Sequence, residues 1–112
     1  MPELLVQQIL QAVQTRPWTR RVEHQVVGKV ARLRLFLADD RFVAVYYNAQ
    51  TGSISYAYIE GEQRLLGANN MKIGWHIHPY GQEATHRPSQ PMSIEAFLRL
   101  LEKALGERGK LG

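Results

Sequence analysis

The sequence predicts an α+β fold in which an antiparallel β-meander of about five strands is flanked by an N-terminal and a C-terminal helix. Apolar residues recur at helical spacing only near the two ends of the chain, whereas the middle alternates apolar and polar residues. The loops between the predicted strands are too short for the crossovers of a parallel sheet. We therefore expect the 112 residues to form a single domain over residues 1–112.

The N-terminal helix is predicted over about residues 3–15. Its apolar residues follow the helical period, and Pro17 ends it because the residue before a proline avoids the α region. We assign this apolar stripe to the core, with the contact surface of a homodimer or another partner as the alternative. The stripe consists of Leu5, Val6, Ile9, Leu10 and Val13.

Five strands are predicted in the middle of the chain, and we expect one face of their sheet to carry both helices. The first strand alternates apolar and polar residues, and the second is rich in residues that favour strands. Asp39-Asp40 predicts the turn between them, and the glycine of residues 48–52 predicts a hairpin loop. The predicted strands cover residues 31–37, 42–47, 53–60, 63–67 and 71–78.

Residues 79–92 are predicted to form a loop, because they contain Pro79, Gly81, Pro88 and Pro91. A final helix follows with Ser93 as its N-cap, and Gly106 ends it. The remaining residues 107–112 are predicted to be a frayed tail. The apolar stripe of this helix consists of Ile94, Phe97, Leu98, Leu101 and Leu105.

The composition of the chain excludes several classes of site and predicts where the protein is located. The chain has no cysteine, which excludes disulfides and thiolate metal sites. No apolar run approaches the roughly 20 residues that span a bilayer, and the N-terminus has no signal-peptide pattern. We expect a cytoplasmic protein without a membrane partner.

The formal net charge is +4, and the excess is local. Six basic residues lie between positions 16 and 34, where the only acidic residue is Glu23. Such a segment can attract RNA or an acidic protein, although a solvated surface is the simpler interpretation. A binding module without catalytic activity would use Arg20, Arg21, Arg32 and Arg34.

The segment Gly74-Trp75-His76-Ile77-His78-Pro79 concentrates the reactive side chains. Alternate residues of a strand point to the same side, so His76 and His78 are predicted to share an open face. Trp75 and Ile77 are predicted to point into the core. A third histidine, His86, follows in the loop, whereas His24 needs no functional role.

An imidazole pair can divide the work of phosphodiester cleavage. One ring accepts the proton of an attacking 2′-hydroxyl, and the other protonates the leaving oxygen. Arginines beside the pair stabilise the phosphoryl charge, and tyrosines stack on bases or donate hydrogen bonds. No metal is required. The predicted substrate-binding residues are Arg64, Arg87, Tyr56 and Tyr58, with Arg32 and Arg34 from the basic segment.

The alternative is a zinc site formed by His76, His78 and His86, with one coordination position left open for catalysis. Glu83 is the only carboxylate in the following loop that could support such ligands. The segment is also similar to the histidine motif of the JAMM metalloproteases. This chain lacks the residue that the motif has between its tryptophan and first histidine, and Met92 stands where the motif needs an aspartate ligand, so the similarity does not favour this family.

A longer stretch, about residues 31–105, resembles the TumE-like toxins of bacterial and archaeal toxin–antitoxin modules. The resemblance consists of an aromatic strand, the Ala68-Asn69-Asn70 loop, the histidine segment, His86 and a closing helix. It implies an RNase-like toxin and a small antitoxin that carries a DNA-binding domain. Its implied site residues are Asn70, His76, His78 and His86. Asn69 stands where that family has an aspartate.

The sequence thus leads to a metal-independent, endoribonuclease-like toxin. Its acid–base pair would be His76 and His78, and His86 and Arg64 would contact the phosphate. A zinc-dependent hydrolase and a non-catalytic binding module are the alternatives.

Overall fold

The computed structural model describes residues 2–111 and confirms the α+β class, with one helix at each end of an antiparallel sheet. The sheet has seven strands where the sequence predicted about five. Within residues 2–111, neither helix is long and apolar enough to cross a membrane. The elements are α1 (Pro2–Gln14), β1 (Arg21–Val27), β2 (Val30–Phe36), a 3₁₀ turn (Ala38–Asp40), β3 (Phe42–Asn48), β4 (Ile54–Glu60), β5 (Gln63–Asn69), β6 (His76–His78), β7 (Arg87–Pro88) and α2 (Ile94–Glu107).

The seven strands lie side by side in chain order, and each pairs antiparallel with the next. Paired residues point to the same side of a sheet, so the register assigns Leu33, Val45, Tyr56 and Ala68 to one face. All four are buried. This face packs against α1 and α2 in a single core, as predicted.

The opposite side of the sheet carries Arg32, Arg34, Ala44 and Ser55, and we call it the open face. On β2 the burial alternates residue by residue between the two faces. This alternation explains why the sequence pattern located β2 correctly.

The two strands missing from the sequence prediction lie at the edges of the sheet. In β1 most residues are exposed, so the strand has no clear alternation of apolar and polar residues. β7 has only two residues, and one of them is Pro88, which an edge strand tolerates. β6 is also shorter than predicted, because positive φ angles at Lys72 and Gly74 place a turn before it.

A buried arginine connects the end of α1 to α2. Arg16 donates to Glu95 at 3.0 Å and to Glu102 at 3.1 Å, and Trp18 Nε1 also donates to Glu102 at 2.8 Å. Arg16 belongs to the basic segment of the sequence, yet it lies between the helices. It is therefore not part of the basic surface. Ser93 caps α2 as predicted, because its side chain accepts a hydrogen bond from Ala96 N.

The residues after α2 lie against the end of the sheet. Lys110 Nζ donates to both Glu60 carboxylate oxygens, at 3.1 and 3.2 Å, and to the Tyr80 hydroxyl at 3.1 Å. Burial opposes ionisation of Glu60, but hydrogen bonds from Tyr58 and Lys110 outweigh it and lower the pKa of this carboxyl. Lys110 thus connects the chain end, predicted as a frayed tail, to the loop that follows the histidine pair.

Candidate functional site

The histidine pair lies on the open face, as the alternation of the segment predicted. His76 pairs with Asn69 of β5, and His78 pairs with Gly67. Ile77 lies between them and pairs with the buried Ala68, so it points to the helix-covered face. Trp75 and Ile77 both pack against the core.

The third imidazole joins the pair at the junction of β6 and the loop before β7. Ring centroids lie 5.0 Å apart for His76 and His78, 5.1 Å for His76 and His86, and 4.6 Å for His78 and His86. His76 is only 4% exposed, whereas His86 is exposed. We call these three residues the histidine cluster.

Backbone carbonyls fix the tautomers of two of these rings. His76 Nδ1 lies 2.8 Å from Gly74 O, and His78 Nδ1 lies 2.8 Å from Glu83 O. A carbonyl oxygen only accepts, so each Nδ1 carries a proton, and in the neutral form of the ring the lone pair is on Nε2. One nitrogen from each of the three rings lies within 4.8 Å of the others, so the cluster could hold a metal ion.

A recess of about 180 Å³ opens beside His78 and His86 on the open face. Arg64, Asn69 and Glu83 also line it. Gly67 also lines the recess, and a side chain at this position would narrow it. A Cβ at position 67 would lie 3.3 Å from Tyr56 O and 3.7 Å from His78 Cδ2. The recess therefore offers imidazole, guanidinium, amide and carboxylate groups around a small volume.

A larger groove of about 500 Å³ crosses β1 to β4 on the open face and continues into the recess. The two share Ser55, Ala57 and Arg64 as lining residues. Arg32 and Arg34 line the groove further from the histidines. The groove therefore leads from the basic strand β2 to the histidine cluster.

Arginines and aromatic rings are interleaved along the open face. The Arg32 guanidinium lies 5.4 Å from the Tyr46 ring centroid, and that of Arg34 lies 5.2 Å from the Phe42 centroid. Within residues 2–111, none of the ion pairs involves Arg32, Arg34 or Arg64. Their positive charge is thus available to an anionic ligand.

Other predicted site residues lie elsewhere. Tyr56 and Tyr58 are 2% and 0% exposed on the helix-covered face, so neither ring can stack on a substrate base. The Tyr56 hydroxyl donates to Met92 O at 3.0 Å, and burial raises the pKa of Tyr56 to about 12. Burial, followed by the hydrogen bond to Glu60, raises the pKa of Tyr58. Both tyrosines are core residues.

Asn70 and Arg87 are also separated from the cluster. The Asn70 amide donates to Gly52 O and accepts from Ile54 N, both at 2.9 Å, which joins the end of β5 to the β3–β4 hairpin. Arg87 pairs with Ile77 in the register and so lies on the opposite side from the imidazoles. Neither residue lines the recess.

Of the basic residues before β2, Arg21 lies at the far end of the open face, where it pairs with Phe36 in the register. Arg21 lies 4.1 Å from the Phe36 ring centroid and pairs with Glu23 at 3.4 Å, and Arg20 is exposed just before β1. Neither contributes to the recess. Of the predicted substrate-binding residues, Arg64 and the 2%-exposed Tyr56 line the recess beside the histidines, whereas Arg32 and Arg34 line the connecting groove.

Sequence reasoning gave Asn69 and Glu83 no catalytic or substrate-binding role. Asn69 lies opposite His76 in the β5–β6 register, and Glu83 provides the carbonyl that fixes His78. Strand alternation provides the signal for Asn69, because it lies two positions after Gly67 on the same face. No local pattern reveals the Glu83 contact.

Neither protein-family models, nor curated proteins, nor solved structures give a significant match to this chain. The resemblance to the TumE-like toxins therefore stays a prediction.

Proposed function

We propose that this protein cleaves RNA at the histidine cluster by metal-independent acid–base catalysis, as the toxin of a toxin–antitoxin module. The observation that supports this best is the pair His76 and His78. Both rings have Nδ1 hydrogen-bonded to a backbone carbonyl, and His78 lines the recess together with Arg64, which takes no part in the ion pairs of residues 2–111. An acid and a base held next to a cation are what phosphodiester cleavage requires.

In the proposed reaction, one imidazole accepts the proton of a ribose 2′-hydroxyl as its oxygen attacks the neighbouring phosphorus. The other imidazole, in its protonated form, donates a proton to the 5′-oxygen as the P–O bond breaks. The products are a 2′,3′-cyclic phosphate and a 5′-hydroxyl. His86 and Arg64 contact the phosphate and stabilise its developing charge.

The groove on the open face would hold the adjoining nucleotides. Arg32 and Arg34 would bind phosphates, and the aromatic rings between them would contact bases or riboses. The burial of His76 favours single-stranded RNA, because a phosphate within a stacked duplex is poorly placed to approach a ring that is only 4% exposed.

The resemblance to TumE-like toxins supports the biological role. It adds a small antitoxin protein with a DNA-binding domain as the partner, which is consistent with the cytoplasmic location expected from the sequence. The basic open face would attract an acidic segment of such a partner as readily as RNA, so antitoxin binding there would block the site.

The decisive experiment uses tag-free protein and a labelled single-stranded RNA oligonucleotide in excess EDTA. We expect cleavage that slows by about 10²–10⁴-fold in His76→Ala and in His78→Ala. His24→Ala is the matched control. His24 belongs to a strand that lines the groove, but it pairs with the buried Leu33 in the register, so its side chain points away from the open face and the rate should be unchanged. A DNA oligonucleotide of the same sequence lacks the 2′-hydroxyl and should remain intact.

Undiminished cleavage by both histidine variants would contradict this mechanism. Absence of any cleavage, combined with RNA binding that weakens steeply with salt, would favour a non-catalytic binding module that uses Arg32 and Arg34.

A zinc-dependent hydrolase is the second candidate, because three imidazole nitrogens converge within 4.8 Å. The carboxylate partners that the sequence lacked are not needed for His76 and His78, since backbone carbonyls hold these rings instead. This candidate predicts that EDTA abolishes activity and that added Zn²⁺ restores it, the opposite of the first.

A further inference from the structure

We infer that Zn²⁺ binds the histidine cluster and thereby inhibits RNA cleavage. The inhibitory role depends on the proposed function, whereas the zinc site depends only on the geometry of His76, His78 and His86. Imidazole suits zinc, and three imidazoles form a site with one open coordination position.

Two of the three ligands are already held in the required tautomer. The Nδ1–H groups of His76 and His78 point to backbone carbonyls at 2.8 Å, which is how proteins commonly hold histidine ligands of zinc. Both histidines belong to β6, which is paired on both sides, so their relative positions are fixed by the sheet.

The third ligand has the freedom to complete the site. Zinc–nitrogen distances of about 2.0–2.1 Å place the nitrogens of a tetrahedral site about 3.4 Å apart. The nitrogens of the cluster lie within 4.8 Å of one another, so an approach of at most about 1.4 Å is needed. His86 is exposed and follows the loop after β6, so it can move inward, and small side-chain rotations of His76 and His78 close the remaining distance.

The chemistry makes zinc binding and acid–base catalysis exclusive. A nitrogen lone pair that coordinates zinc cannot accept a proton, and a coordinated imidazole has no Nε2–H to donate. Zinc on the cluster therefore removes the base and the acid together. Mg²⁺ should have no such effect, because it prefers oxygen ligands.

Isothermal titration calorimetry with ZnCl₂ tests the site without reference to activity. We expect one zinc per chain in metal-free, tag-free protein, and an affinity at least tenfold lower in His86→Ala. His24→Ala, which changes a histidine outside the cluster, should bind zinc like the wild type. The proposed zinc site would be wrong if the protein bound no zinc, or if His24→Ala lowered the zinc affinity as much as His86→Ala.

The same zinc series, added to the RNA cleavage assay, tests the inhibition. Half-inhibition should occur at the zinc concentration that half-saturates the protein, excess EDTA should restore the rate, and MgCl₂ should not inhibit. Cleavage that continues at saturating zinc, or that zinc stimulates, would overturn the inference.

The two proposals fail in different ways. Cleavage by a protein that binds no zinc retains the proposed function and rejects the inference. Zinc binding by a protein that cleaves no RNA under any condition rejects the proposed function and the inhibitory role together.

Discussion

The two faces of the sheet differ in how their polar groups are satisfied. On the helix-covered face, the Tyr56 hydroxyl donates to a backbone carbonyl, and Arg16 between the helices donates to two carboxylates. On the open face, His76 is nearly buried and keeps Nε2 free, while Arg32 and Arg34 take no part in the ion pairs of residues 2–111. Tyr56 and Arg16 thus have their polar groups satisfied inside the protein, whereas the histidines and arginines of the open face are accessible to a ligand.

This difference separates stability from function. Substitutions on the helix-covered face should change the free energy of unfolding, whereas substitutions on the open face should change binding and catalysis at nearly constant stability. Each of the following variants tests one side of that division.

The largest effect on stability is expected at Phe97. This residue is 0% exposed and stacks on Tyr56, with ring centroids 5.2 Å apart. Phe97→Ala leaves a cavity and should lower the free energy of unfolding by about 3–5 kcal/mol. Urea denaturation measures the loss. Leu4→Ala is the control, because Leu4 is 58% exposed on α1 and should change stability by less than about 0.5 kcal/mol.

The next effect is expected at Arg16. Arg16→Met removes the hydrogen bonds to Glu95 and Glu102 and should cost about 1–3 kcal/mol at pH 7. A cost equal to that of Phe97→Ala would contradict this ranking of contacts.

The Arg16 effect should also depend on pH. The hydrogen bond from Arg16 lowers the pKa of Glu95 in the folded protein. A lowered folded pKa contributes stability that is fully present above the unfolded pKa, about 4.3, and is lost as pH falls through the folded pKa. The difference between wild type and Arg16→Met should therefore be constant near neutrality and shrink below about pH 4. Urea titrations at pH 7 and pH 3 measure it, and a difference that grows in acid would refute the sign.

A smaller effect is expected at the start of α2. Ser93→Ala removes the acceptor for Ala96 N and should cost about 1 kcal/mol. Ser93→Asn restores a capping oxygen and should recover most of the loss in a thermal melt. An equal loss in both variants would show that the cap is not the cause.

The smallest effect on stability is expected at Arg34 on the open face. Arg34→Ala should change the free energy of unfolding by less than about 0.5 kcal/mol. It should, however, weaken RNA binding and reduce the slope of log affinity against log salt by about one. Arg99→Ala provides the comparison, since Arg99 is exposed on α2, and it should leave the salt slope unchanged.

The meander was predictable because its central strands have one buried and one solvated face. Apolar and polar residues therefore alternate along their sequences. β2 shows that alternation and was found, whereas the mostly exposed β1 has no apolar face to reveal it. The same alternation places Tyr56 and Tyr58 on one face with Ile54, which indicates the core. We predicted a substrate-binding role for both residues because tyrosine rings can stack on bases, and that prediction was wrong.

The site was predictable only in its local part. The spacing of His76 and His78 suffices to place them on one face. The approach of His86, by contrast, depends on the pairing of β6 with a two-residue strand that contains Pro88. Such a strand has no period, so the prediction of His86 as the third imidazole depended on its nearness in the sequence and not on a strand pattern. The connection between groove and recess likewise arises from strands far apart in sequence.

The order of the strands has a consequence for folding kinetics. Each strand pairs with its neighbour in the chain, so the sheet can form by successive short loop closures. The contact of Arg16 with Glu95 instead joins positions 79 residues apart, so its closure costs more chain entropy. We expect the sheet to form before α1 and α2 meet. Arg16→Met should therefore speed unfolding and leave the refolding rate nearly unchanged in stopped-flow measurements.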